Sequence, residues 1–107
     1  MITELTDSDS YCEIIKNSAK PKLVFFFTGG CSVCEVVKQV VSELSCEFEG
    51  NIDFFSLNLD KIPAIRTLLD IRTAPAITLH KENKLADVFI GAVNKDYLRA
   101  GLMKILT

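Results

Sequence analysis

The sequence predicts a mixed α/β sandwich, on three observations. Short apolar runs alternate with stretches of helical periodicity, as when strands and helices take turns along a chain. Two strand-like runs near the end are joined by the turn-like Lys81-Glu82-Asn83-Lys84, which places antiparallel strands at one side of the sheet. With 107 residues, 49% of them hydrophobic and 24% charged, the chain has the makings of one compact domain, residues 1–107, around an ordinary core.

The elements follow in order. A short strand over Ile2–Leu5 is expected to precede a helix. Thr6-Asp7-Ser8-Asp9-Ser10 offers N-caps and first-turn acids for that helix, Tyr11, Ile14 and Ile15 fall at helical spacing, and Lys20-Pro21 stops the pattern. Leu23-Val24-Phe25-Phe26-Phe27 is too short for a helix and apolar at every position, as a strand covered on both faces would be. Thr28-Gly29-Gly30 breaks it. The next helix carries Val33, Val36, Val37, Val40, Val41, Leu44 and Phe48 on one expected apolar face, with Glu35, Lys38, Gln39, Ser42 and Glu43 opposite. Valine is a mediocre helix former, so periodicity and not propensity supports this element.

Gly50-Asn51 ends it, and Ile52–Leu59 reads as a second buried strand. Asp60 is expected to cap a short helix with Pro63 in its first turn, running to about Leu69. Ala76–His80 and Leu85–Ile90 form the hairpin. Asn94 caps a last helix on which Tyr97, Leu98, Gly101, Leu102, Ile105 and Leu106 are expected to face inward, with Lys104 near its negative end.

Charge and hydropathy exclude several roles. The net charge is −2, the isoelectric point is about 5.3 and there is no basic run, so nucleic acid and anionic membrane are not expected partners. The longest apolar runs, such as Leu23–Phe27, fall far short of the ~20 residues a membrane span needs. The opening Met1-Ile2-Thr3-Glu4-Leu5-Thr6-Asp7 lacks the basic and apolar regions of a secretory signal. The expected setting is the cytoplasm, where a closely spaced cysteine pair points to catalysis or metal binding and not to a structural bridge.

Cys31-Ser32-Val33-Cys34 follows a strand and opens the clearest helix. The first N–H groups of a helix have no partner within it and its dipole is positive there, so a thiolate is stabilised at that place. Thiolate is the species that exchanges with disulfides. Cys34 lies about one turn on, within the separation a disulfide tolerates. Cys31 is therefore the expected nucleophile, forming a mixed disulfide with a substrate, and Cys34 the resolving thiol that displaces it. Gly29-Gly30 leaves the approach to Cys31 uncrowded. A CxxC is also half of a zinc site, but such sites take a second pair, and Cys12, Cys46 and His80 are not spaced as one. No metal and no cofactor is expected.

Four stretches in order and at about the right spacing resemble the thioredoxin family: Leu23–Cys34, Leu57-Asn58-Leu59-Asp60, Thr73-Ala74-Pro75-Ala76 and Phe89-Ile90-Gly91-Ala92. The resemblance covers almost the whole chain. It implies a thioredoxin-like three-layer sandwich, a mixed four- to five-stranded sheet with helices on both faces. It implies that Pro75 follows a cis peptide bond beside the cysteines, that the backbone of Ala74 pairs with an extended substrate segment, and that Gly91 lines the same groove, with Gly30, Ser32 and Val33 completing the substrate-binding surface. It further implies disulfide-containing protein substrates, a thioredoxin reductase as electron donor, and action as a monomer in cell redox homeostasis.

Departures from the family pattern are equally specific. Gly30 replaces the aromatic residue before the first cysteine, and Ser32-Val33 replaces Gly-Pro between the two. Phe25 stands where the family has a buried acid that accepts the resolving cysteine's proton, and Ser56 where a lysine often lies near it. Exchange is therefore expected to persist with a slowed resolving step. An alternative is a redox sensor or adaptor that holds a partner in the Pro75 groove with little turnover. Cys12 and Cys46 are expected to be small buried hydrophobes, His80 a solvated residue at a turn, and the phenylalanines at 25–27, 54 and 55 part of the core.

Overall fold

The computed structural model describes residues 1–17 and 19–107. In chain order the elements are β1 (Ile2–Leu5), α1 (Ser8–Lys16), β2 (Lys22–Phe27), α2 (Ser32–Glu47), β3 (Asp53–Asn58), α3 (Pro63–Leu69), β4 (Ala76–Lys81), β5 (Lys84–Ile90) and α4 (Lys95–Ile105). The strands form one sheet in the order β1-β3-β2-β4-β5, so the most apolar strand lies at its centre. β1 and β2 both pair with β3 in parallel. β4 runs antiparallel to β2 and to β5. This is the mixed α/β sandwich that the alternation of elements and the terminal hairpin predict.

Side chains alternate across the pleat and build two cores. Leu23, Phe25, Phe54, Ile77, Leu79 and Phe89 meet α2 and α4 on one face. Val24, Phe26, Leu57 and Ala76 meet Tyr11 of α1 and Ile65 of α3 on the other. A central strand covered on both sides must be apolar at every position, which is the physical reason for the Leu23–Phe27 run. Phe25, Phe26 and Phe54 are buried as expected; Phe27 and Phe55 are half-buried.

The caps at two helices are those foreseen. The Asp7 carboxylate accepts the Ser10 N–H at 2.7 Å, and the Asn94 side chain accepts the Tyr97 N–H at 3.1 Å. α1 ends at Lys16, earlier than the expected stop at Lys20-Pro21; residue 18 of that stretch lies outside the described residues. The hairpin turn is tighter than expected. Only Glu82 and Asn83 lie outside the strands, at φ 54° and 64°, as a two-residue turn of the twist-compatible kind requires.

Several sequence expectations are corrected by packing. Asp60 does not cap α3: that helix begins after Ile62 with no side-chain cap and Pro63 at its start. The buried stripe of α2 is Cys34, Val37, Val41, Leu44 and Phe48, while Val33 and Val36 are 42% and 65% exposed. Spacings of three and four residues keep the stripe narrow, and valines off that line face solvent. On α4, Tyr97 is 67% exposed and Leu106 is also exposed; Leu98, Leu102 and Ile105 are buried. Tyr97 lies instead edge-on to Phe89, with ring centroids 5.5 Å apart.

Cys46 is exposed and Cys12 half-buried, so the expected burial of both thiols does not hold. Cys46 sits to one side of the narrow stripe. His80 is not solvated at a turn: it lies within β4, 7% exposed, with Nε2 2.9 Å from Thr78 Oγ1. Burial lowers the pKa of its imidazolium from the usual value, and the nearby Lys22 charge acts in the same direction. Lys22 is its cross-strand partner and donates to the carbonyl oxygens of Asn17 and Lys20.

Candidate active site

The end of β2 turns into α2 through Thr28-Gly29-Gly30. Gly30 has φ 67°, a conformation that disfavours residues with a Cβ, and open space surrounds it. The Gly29 N–H donates to the Asp60 carboxylate at 2.9 Å, which anchors the turn to the loop after β3. Asp60 is itself held by its own N–H, which donates to Asn58 Oδ1 at 2.9 Å.

Cys31 is the N-cap of α2. Its Sγ accepts the Cys34 N–H at 3.1 Å, so the sulfur sits where the helix offers free donors and the positive end of its dipole. Cys31 and Cys34 are joined by a disulfide, with Cα atoms 5.2 Å apart. The two sulfurs are not equivalent. Cys31 is half-exposed, whereas Cys34 is 3% exposed and belongs to the core that contains Phe25. Among the described residues, no group of three His, Cys, Asp or Glu side chains converges on a metal-sized site.

Ser32 and Val33 are exposed on the first turn between the cysteines. The Ala74–Pro75 peptide bond is cis. Ala74 and Cys31 both pack against the core cluster that holds Cys34. Gly91, at φ 80°, donates its N–H to the Pro75 carbonyl at 2.8 Å, which ties the end of β5 to the proline loop. The structure thus brings Cys31, Cys34 and Ala74 to one cluster and links Pro75 to Gly91. Gly30, Ser32 and Val33 are held near the pair by chain connectivity.

A family model for thioredoxin matches residues 2–104. The chain belongs to the thioredoxin family. It is 33% identical to the thioredoxin of Pyropia yezoensis over 106 residues, which are 99% of this chain and 98% of that one. It is 32% identical over 106 residues to the chloroplastic M-type thioredoxin of Spinacia oleracea, but spans only 58% of that protein's length. The crystal structure of a thioredoxin from Malassezia sympodialis superposes with a TM-score of 0.88 at 18% identity, covering 100% of this chain and 92% of that one, which confirms the fold.

Family membership and a bonded pair at the start of α2 make this a thiol–disulfide oxidoreductase. Within the thioredoxin pattern, the two substituted positions prove to be neighbours: Phe25 on β2 and Ser56 on β3 are register partners. Phe25 is 1% exposed and shares one apolar core cluster with Cys34. The adjacent Glu35 is exposed on the far side of the first turn and donates its N–H to the Cys31 carbonyl at 3.3 Å. Asp60 is the residue whose place in the site the sequence did not reveal. Its partner lies 31 positions away, and no local pattern announces such a contact.

Proposed function

We propose that the chain is a protein-disulfide reductase, with Cys31 as attacking thiol and Cys34 as resolving thiol. The observation that carries this is the asymmetry of the pair: the helix-capping sulfur is accessible and its partner is buried directly behind it. In the reduced form the Cys31 thiolate attacks one sulfur of a substrate disulfide. A mixed disulfide forms, and the other substrate sulfur leaves as thiolate. Cys34 then loses its proton and attacks the Cys31 sulfur. The Cys31–Cys34 bond closes, and the second substrate sulfur departs and takes up a proton. Two electrons pass from the dithiol to the substrate.

The substrate chain would lie over Gly30, Ser32 and Val33, with its backbone against Ala74 beside Pro75 and Gly91, as in strand addition at an edge. The exposure of Val33 and the open space at Gly30 and Gly91 support this reading. Disulfide-containing proteins are the proposed substrates and a thioredoxin reductase the proposed electron donor. The family to which the chain belongs supports both. We place the activity in one domain, residues 1–107, acting as a monomer in the cytoplasm. The two further thiols at Cys12 and Cys46, both free, suit a reducing compartment. Among the described residues no helix is long and apolar enough to cross a membrane.

The test is turnover in reductase-coupled reduction of a protein disulfide. The wild-type chain should cycle, Cys31→Ser should lose all exchange, and Cys34→Ser should accumulate a mixed disulfide with substrate. Partner binding without turnover in the wild-type chain would favour an adaptor and defeat the proposal.

A further inference from the structure

The resolving step poses a problem of charge. Cys34 lies in the same apolar core as Phe25, and such surroundings disfavour the thiolate that it must form. A cleft beside β2 approaches this core from outside. It has a volume of about 430 Å³, opens between α2 and the β1–β3–β2 part of the sheet, and reaches Phe25 and Phe27. Ser56 and Glu4, register partners on β3 and β1, line it in the same cross-sheet row as Phe25. The other titratable groups around it are Lys38 and Cys46 of α2 and the Met1 amine, which reaches Ser45 Oγ at 3.4 Å.

Of these, Lys38 is nearest to Cys34 along the helix. It follows by four residues and is exposed at the edge of the buried stripe, beside the cleft and not on the opposite face that the sequence predicts. The two thus lie one turn apart, with Cβ atoms about 5–6 Å apart. Two acids of α2 are already paired with α4: Glu43 with Lys95 at 3.0 Å and Glu47 with Arg99 at 2.7 Å. Lys38 makes no ion pair among the described residues.

We infer that Lys38 is a positioning residue for the resolving step: its ammonium, at the cleft over Phe25, stabilises the Cys34 thiolate that no buried carboxylate helps to form. The inference rests on Cys34 being the resolving thiol. Lys38 takes no part in the proton transfer or in the exchange. The Cys34 proton leaves to water, the thiolate closes on Cys31, and the substrate sulfur departs with the electron pair of the broken bond. Glu4 across the cleft and Glu35 beside Cys34 oppose this field, and Asp60 lies at the other end of the turn before Cys31. A unit charge about 5–6 Å away, screened nearly as in bulk water because Lys38 is exposed, changes a thiolate population by about three- to five-fold.

The experiment follows the two-step release of thionitrobenzoate when the reduced chain meets its disulfide dimer, the second release reporting closure by Cys34. At neutral pH and low salt, Lys38→Met should slow the second release about three- to five-fold and leave the first nearly unchanged. Lys38→Arg should restore it and Glu4→Gln should hasten it. The deficit of Lys38→Met should shrink in high salt. An unchanged second release in Lys38→Met overturns the inference, as does an arginine variant as slow as the methionine one. A wild-type chain that gives no second release at all defeats the assignment of Cys34, which is a different result from an insensitive Lys38.

Discussion

The Asp60 carboxylate holds the Gly29 N–H at 2.9 Å, two residues before Cys31, the more exposed sulfur of the pair. This bond joins the loop after β3 to the turn that presents Cys31. Gly29 is exposed, so water can take over the N–H when the carboxylate is lost, and the net cost is that of one ordinary hydrogen bond. Asp60→Ala should lower stability by about 1 kcal/mol and speed exchange of the Gly29 amide roughly five-fold. Asp60→Asn, which keeps an acceptor, should largely preserve protection. Amide hydrogen exchange with a denaturant titration checks both, and equal protection in all three proteins would refute the anchoring role.

Phe25 and Cys34 share one apolar core cluster, so a carboxylate introduced at position 25 would be placed to accept the Cys34 proton. Phe25→Asp should therefore hasten closure of the Cys31–Cys34 bond at neutral pH. It should also lower stability by about 3 kcal/mol or more, because a buried ring is lost and a carboxyl group enters an apolar site. Phe25→Leu separates the two effects: it should cost about 1.5 kcal/mol or less and leave the closure rate alone. Stopped-flow closure rates with denaturant midpoints provide the check. Equal closure in the aspartate and leucine variants would show that the missing acid does not limit this step.

His80 gives the fold a pH dependence. Its folded pKa lies below the unfolded value of about 6.5, so the unfolded chain binds more protons as the pH falls. The neutral imidazole's contribution is complete above about 6.5 and is eroded as pH falls from there through the lower folded value. The denaturant midpoint should decline between pH 7.5 and 5.5, before most carboxylates titrate, and His80→Gln should flatten that decline. An identical slope in the variant would assign the pH dependence elsewhere.

The hairpin turn carries glutamate where glycine, asparagine or aspartate is at ease. Glu82 has φ 54°, in the left-handed region. Glu82→Gly should raise stability by about 0.5–1 kcal/mol, since the backbone conformation is retained and the Cβ cost relieved. Thermal unfolding measures it. A destabilised variant would mean that the side chain makes a contact outweighing the strain.

Much of the fold is legible because its signals are local. The Asp7 and Asn94 caps, the Pro63 start and the Leu23–Phe27 strand depend on residues within a turn or two of each other. Exposure at Val36, Tyr97 and Cys46 was not legible in the same way. A periodic pattern marks the direction of a helix's apolar side but not its width, and the neighbouring element decides how far burial extends. His80 reads as a turn residue until the hairpin tightens to two residues and places it inside a strand. Asp60 reads as a cap because acids near helix starts usually are caps.

The sequence alone determined the family, the order of elements and the dithiol at the mouth of α2. Each is written in side chains only a few positions apart, where helix dipole, capping and strand period act. Tertiary structure decided which sulfur is buried, that Phe25 and Ser56 are register partners, and that Asp60 stands by the site. Those relations come from parallel pairing and helix docking across tens of residues, and the physical reason is register: each depends on how separate elements are aligned, which no single element specifies.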